Sequence, residues 1–116
     1  MYFTIEGYKS IGRYDPAADA IDRTMGIGED GTHLLVLDRN TMFMPNTRSN
    51  TVTIVDNVEA GPATARTVDI PVPGETPEGI DLSPDGREIW TATRGDGGVS
   101  VIDVRTREVV QTWAWA

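Results

Sequence analysis

His33, the only histidine in the chain, and the arginines Arg48 and Arg94 are the side chains here best suited to chemistry. A neutral imidazole can ligate a metal or act as a general base, and at the start of a strand it can equally be held by a hydrogen bond alone. A guanidinium fork matches a carboxylate or phosphate, gripping two oxygens at once. Local pairing of each arginine with Asp96, Glu78 or another nearby acid is the competing reading. Glu29, Asp30, Glu75 and Glu78 recur on loops of one kind, and oxygen donors suit calcium or magnesium. No D-x-[DN]-x-[DN]-G loop accompanies them, so they read first as solvent-facing turn residues, and no metal or cofactor is expected.

Other chemistries find little support. Gly26-Ile27-Gly28-Glu29-Asp30-Gly31 fits G-x-G-x-x-G, but the short strand-like Thr32–Leu37 follows it where a helix is required, and two acids stand where a pyrophosphate would sit. There is no G-x-S-x-G, and Ser10, Ser49, Ser83 and Ser100 occupy ordinary strand or turn positions. Without cysteine, the chain has no disulfide, thiolate zinc site or cysteine nucleophile, and its compartment is open. A net charge of −8, from 18 acids against 10 bases, would repel a phosphate backbone, so nucleic acid is not an expected partner. The apolar run Leu34–Leu37 is far short of the roughly 20 residues needed to span a bilayer, and the first residues lack the pattern of an export signal.

The elements that must position these residues show themselves through a repeat. Ile89–Asp103 superimposes without a gap on Met42–Asp56 and on Met1–Asp15. An aromatic stands at the second position of each copy (Tyr2, Phe43, Trp90), and an aspartate closes each (Asp15, Asp56, Asp103). The closing aspartates lie 41 and 47 residues apart, close to the period of about 40 to 50 seen in propeller blades. Val52-Thr53-Ile54-Val55 and Val99-Ser100-Val101-Ile102 carry the β-branched chemistry of strands. Four strands per copy are expected, in the last copy at about 78–83, 88–93, 98–103 and 108–115, lettered A to D. Ser83-Pro84-Asp85-Gly86 joins A to B, with proline presetting φ and glycine supplying a positive φ. The middle copy makes this turn one residue shorter, with Asn40 near the tight position. Asp15-Pro16-Ala17-Ala18-Asp19-Ala20 mimics a helix start but falls where the other copies turn from C to D, so a turn is expected.

These residues resemble the YVTN β-propeller repeat, whose strand-B tetrapeptide is represented by Tyr2-Phe3-Thr4-Ile5, Phe43-Met44-Pro45-Asn46 and Trp90-Thr91-Ala92-Thr93. Pro77–Gly86, continuing to Val99–Asp103, is the clearest copy and is similar to YncE-like, surface-antigen, quinoprotein-like and haem-nitrite-reductase-like propellers. Only Asn46 keeps the final asparagine, and Pro45, which cannot donate to a ladder, implies an irregular middle strand B. The resemblance implies an all-β partial β-propeller of about 2.7 four-stranded antiparallel blades and 11 strands, not closed: 1–27 a partial blade, 28–73 and 74–116 full blades. Since propellers need about 4 to 8 blades, the expectation is a piece of a longer propeller, or a chain that completes a ring by self-association.

The resemblance also implies where a ligand would sit, at a channel mouth built from D-to-A and B-to-C loops. The first kind supplies Glu29, Asp30, Thr32, His33, Glu75 and Glu78; the second supplies Glu6, Asn46, Arg48, Arg94 and Asp96. Arg48 and Arg94 fall in adjacent columns, so neighbouring blades would aim guanidinia at one face. The expected ligand-binding set is His33, Asn46, Arg48, Glu78 and Arg94, and no catalytic residue is assigned. The expected role is a non-catalytic binding scaffold for a small anionic ligand or a protein partner. Part of a lactonase-like hydrolase or a quinoprotein-like dehydrogenase subunit is the alternative, and a periplasmic or extracellular parent is what the family suggests. Trp90 is expected to pack between blades, with Trp113 and Trp115 sharing one face of the outer strand.

Overall fold

The computed structural model describes residues 1–27 and 34–114. Eleven strands appear in chain order: β1 (Tyr2–Ile5), β2 (Ser10–Asp15), β3 (Ala20–Gly26), β4 (Val36–Asp38), β5 (Thr41–Asn46), β6 (Thr51–Asp56), β7 (Arg66–Pro71), β8 (Pro77–Leu82), β9 (Glu88–Thr93), β10 (Gly98–Asp103) and β11 (Glu108–Ala114). They form three antiparallel sheets in which sequence neighbours pair: β1-β2-β3, β4-β5-β6-β7 and β8-β9-β10-β11. The protein is all-β, with three antiparallel meanders that do not close into a ring, the architecture of a partial propeller. Short 3-10 turns at Glu6–Tyr8 and Val58–Ala60 are the helical pieces among the described residues.

The turns follow their sequence chemistry, with informative exceptions. All three β-to-β turns between second and third strands of the repeat place a left-handed residue in one column: Lys9 (φ 50), Asn50 (φ 55) and Gly97 (φ 69). Gly86 supplies φ 72 in the turn after β8, as Ser83-Pro84-Asp85-Gly86 requires. In the middle sheet the positive φ falls on Arg39 (φ 58). Its neighbour Asn40 uses its side chain elsewhere, donating to Asn57 Oδ1 (3.0 Å) and accepting the Glu59 N–H (2.7 Å), which ties that turn to the next connection. Residues 16–19 form a turn, and Asp15 Oδ1 accepts the Ala17 N–H at 3.0 Å. β5 runs through Pro45 without a break because β4 pairs with it only from Thr41 to Phe43, so that ladder does not reach the proline.

The closing aspartates diverge. Asp103 Oδ1 accepts the Arg105 and Thr106 N–H groups at 2.8 and 2.9 Å, capping its own turn. After Asp56 the chain enters the left-handed Asn57 instead, and the Asp56 carboxylate accepts Arg107 from the third sheet, at 2.9 Å to Oδ2. That ion pair bridges two sheets.

Two apolar layers hold the sheets together. Between the first and second sheets lie Ile11, Met42, Met44, Val55 and Val58, with Tyr2 and Met25 against them. Between the second and third lie Phe43, Val52, Ile54, Ile70, Ile89 and Ile102, flanked by Ile80 and Leu82. Alternate residues of β5 and β6 therefore face opposite layers, and both strands are buried almost throughout. In β9 burial alternates instead: Ile89, Thr91 and Thr93 face inward while Trp90 is 42% exposed.

Candidate functional site

The loops joining β1 to β2, β5 to β6 and β9 to β10 gather on the same side as the connection from β7 to β8. Asn50 is the linchpin: its left-handed backbone lets its carbonyl accept the Val72 N–H (3.0 Å) while its Oδ1 accepts the Thr76 N–H (2.8 Å). The Thr76 and Glu75 carbonyls in turn accept the Arg94 and Gly95 N–H groups, each at 2.9 Å. Asp96 Oδ1 accepts the Glu75 N–H at 3.3 Å. The Thr93 hydroxyl first, then this backbone donor, holds the Asp96 carboxyl below the usual carboxylate range. Gly95 fits because a Cβ there would lie 2.9 Å from the Glu75 Cβ.

This belt of backbone bonds frames an open cleft of about 590 Å³ lined by Glu6, Thr47, Arg48, Asn50, Glu75, Thr76 and Arg94. The volume suits a small ligand. Arg94 Nε donates to Glu78 Oε2 at 2.8 Å, and Arg48 lies 3.4 Å from Glu6 Oε1. Both guanidinia are more than half exposed, 61% for Arg48 and 71% for Arg94, so these pairs orient the arginines more than they stabilise the fold. A guanidinium carries five N–H donors, and the bond to Glu78 uses one of those on Arg94.

The structure thus brings Arg48 and Arg94 to one cleft, with Glu78 behind Arg94. Asn46 sits elsewhere: it is fully buried at the end of β5 and donates to Thr51 Oγ1 (3.0 Å) and Thr53 Oγ1 (2.7 Å). Thr53 passes the chain on to Asp69 Oδ1 at 2.7 Å. Asn46 is thereby held inside the second sheet, satisfying buried polar groups. His33, with Glu29, Asp30 and Thr32, lies outside the described residues. Thr47, Asn50 and Thr76 line the cleft without having been singled out from the sequence; the signal for Asn50 was its column, shared with Gly97, where a left-handed backbone is required. Among the described residues no three His, Asp or Glu side chains are grouped to hold a metal, and no helix is long and apolar enough to cross a membrane.

On the opposite face of the third sheet, Trp90 stacks on Trp113 with ring centroids 5.4 Å apart. Trp90 was expected between blades; it stands instead on a face that no other described sheet covers, because its column is turned away from the second sheet.

The class this geometry defines is a partial β-propeller with a polar cleft at one mouth. Two solved structures share the fold. Hydrazine synthase from Kuenenia stuttgartiensis superimposes with a TM-score of 0.80 at 21% identity, over 96% of this chain and 31% of that one. A functionally unknown protein from Desulfotomaculum acetoxidans DSM 771 superimposes with a TM-score of 0.82 at 12% identity, over 99% of this chain and 36% of that one. The chain spans about a third of the length of each, 31% and 36%, and at such identities the likeness is one of fold alone. No protein-family model matches the sequence, and no curated protein matches it.

Proposed function

We propose that the chain is a binding segment of a YVTN-type propeller, with blades at 1–27, 28–73 and 74–116, whose channel mouth receives a small anionic ligand between Arg48 and Arg94. The observation that carries this reading is the convergence of guanidinia from two successive blades on one cleft of about 590 Å³. Glu6 and Glu78 hold the arginines in place, and a ligand carboxylate adds to the donors that Arg94 keeps beyond Nε. Glu75 and Glu6 on the rim disfavour highly charged anions, which points to mono- or dicarboxylates over polyphosphates.

Isothermal titration with a panel of small mono- and dicarboxylates and phosphate tests this. A charge-assisted hydrogen bond contributes about 1.5–3 kcal/mol, so Arg94→Ala weakens binding by about tenfold or more, and Arg48→Ala does likewise. Binding that survives both substitutions, or no binding to any member of the panel, refutes the mouth as an anion site.

A further inference from the structure

We infer that the anion taken at the mouth is an acidic amino acid, whose carboxylates meet Arg48 and Arg94 while its ammonium meets the carboxylate of Glu75. The inference rests on the reading of the mouth as an anion site and adds the ligand's positive group.

Three glutamates stand around the two arginines, and they are not equivalent. Glu78 accepts Arg94 Nε at 2.8 Å and Glu6 lies 3.4 Å from Arg48, so each of these acids is matched to a guanidinium. Glu75 lines the same cleft and is exposed, yet its carboxylate has no partner among the described residues. Only its backbone is engaged: Asp96 Oδ1 accepts the N–H at 3.3 Å, and the carbonyl accepts the Gly95 N–H at 2.9 Å. A carboxylate left unmatched beside an anion site weakens the binding of every ligand that carries negative charge alone, because like charges are brought together. The same carboxylate strengthens the binding of a ligand that places a cation against it.

The loop that carries Glu75 is built to hold it there. Thr76 has φ 57 and is the one β-branched residue among those described in the left-handed region, where such side chains are rarely tolerated. Its conformation persists because both of its backbone groups are tied: Asn50 Oδ1 accepts the N–H at 2.8 Å, and the carbonyl accepts the Arg94 N–H at 2.9 Å. Strain held in this way gathers at ligand clamps, where a fixed position matters more than local stability. Beside it, a Cβ on Gly95 would lie 2.9 Å from the Glu75 Cβ, so the glycine leaves the room that the glutamate stem occupies. Glu75 and Arg94 are thus mounted on backbones bonded directly to each other, a negative and a positive group on one wall of the cleft. That arrangement suits a zwitterionic ligand.

Isothermal titration near neutral pH with aspartate and succinate reads this, because the two share a dicarboxylate skeleton and differ by the ammonium. The wild-type chain should bind aspartate more tightly by about fivefold, the reach of one ion pair on an open rim. Glu75→Gln should bring the two affinities together. Glu108→Gln is the control for net charge: Glu108 is exposed and pairs with Asp103, at the end of the third sheet away from the mouth, so its loss should leave the aspartate preference intact. Far-UV circular dichroism verifies that both variants keep their sheets. Equal affinities for aspartate and succinate in the wild-type chain would overturn the inference and leave the anion site standing, as would a preference that survives Glu75→Gln or falls equally with Glu108→Gln. Failure of both compounds to bind would overturn the anion site and this inference together.

Discussion

Phe43 and Trp90 occupy the same column of the repeat, yet one is covered and the other open, so truncating each measures what the next sheet contributes. Phe43 is 2% exposed within the layer between the second and third sheets, where Val52, Ile54, Ile89 and Ile102 surround it. Removing a fully buried aromatic ring costs about 3–5 kcal/mol, the lost transfer energy plus the cavity left behind. Trp90 is 42% exposed, and its contacts are Trp113 beside it and the sheet beneath. A stacked aromatic pair contributes about 0.5–1.5 kcal/mol beyond area burial, and partial burial adds a comparable amount, so Trp90→Ala should cost about 1–2 kcal/mol. Against a total stability of about 5–15 kcal/mol, the first substitution removes a large share and the second a small one. Urea unfolding followed by far-UV circular dichroism gives both values. Equal costs, or a larger cost for Trp90→Ala, would refute the assignment of the two columns to covered and open faces.

Two further outcomes follow from the same contacts. The carboxyls of Asp22, Asp85, Asp96 and Asp103 are held below their ordinary range, chiefly by the Arg13 guanidinium, the Ser83 hydroxyl, the Thr93 hydroxyl and the Thr106 N–H respectively. Folded-state values below the unfolded one mean that the stabilisation is complete above about pH 4 and is lost as pH falls below it. The melting temperature should therefore drop on that acid limb, and Asp103→Asn should flatten it; an unchanged limb would contradict the capping role. Gly74→Ala should destabilise by about 1–3 kcal/mol in a denaturant titration, because the new methyl would lie 2.6 Å from the Thr93 hydroxyl, itself 2% exposed and unable to retreat. A neutral effect would contradict the close packing of that loop on β9.

The strands and their order were legible because the repeat imposes a period-2 pattern of β-branched residues between turn signals, and β9 and β10 begin and end where the sequence places them. The gathering of Arg48 and Arg94 was legible for the same reason, since residues in neighbouring columns of successive copies must share a face. What escaped was chemistry that depends on distant partners. Asn46 reads as a site residue until Asp69, two strands away on β7, closes a chain of hydrogen bonds that runs from Asn46 through Thr53. Asp56 closes its copy of the repeat as Asp103 does, but its partner, Arg107, lies 51 residues further on. Trp90 reads as interior because its column is interior in the middle copy, whereas among the described residues it is 42% exposed and stacks on Trp113. Arg39 takes the left-handed position beside Asn40 because the asparagine side chain is held by Asn57 and Glu59.

The most direct test of the central claim, that the mouth between successive blades is the binding surface, is a ¹H–¹⁵N titration of the arginine Nε–Hε resonances with a small dicarboxylate. The account predicts saturable shifts confined to Arg48 and Arg94, while Arg13 and Arg107, which pair with Asp22 and Asp56 away from the cleft, stay unmoved. Uniform drift of all arginines, or shifts centred on Arg13 or Arg107, would contradict it.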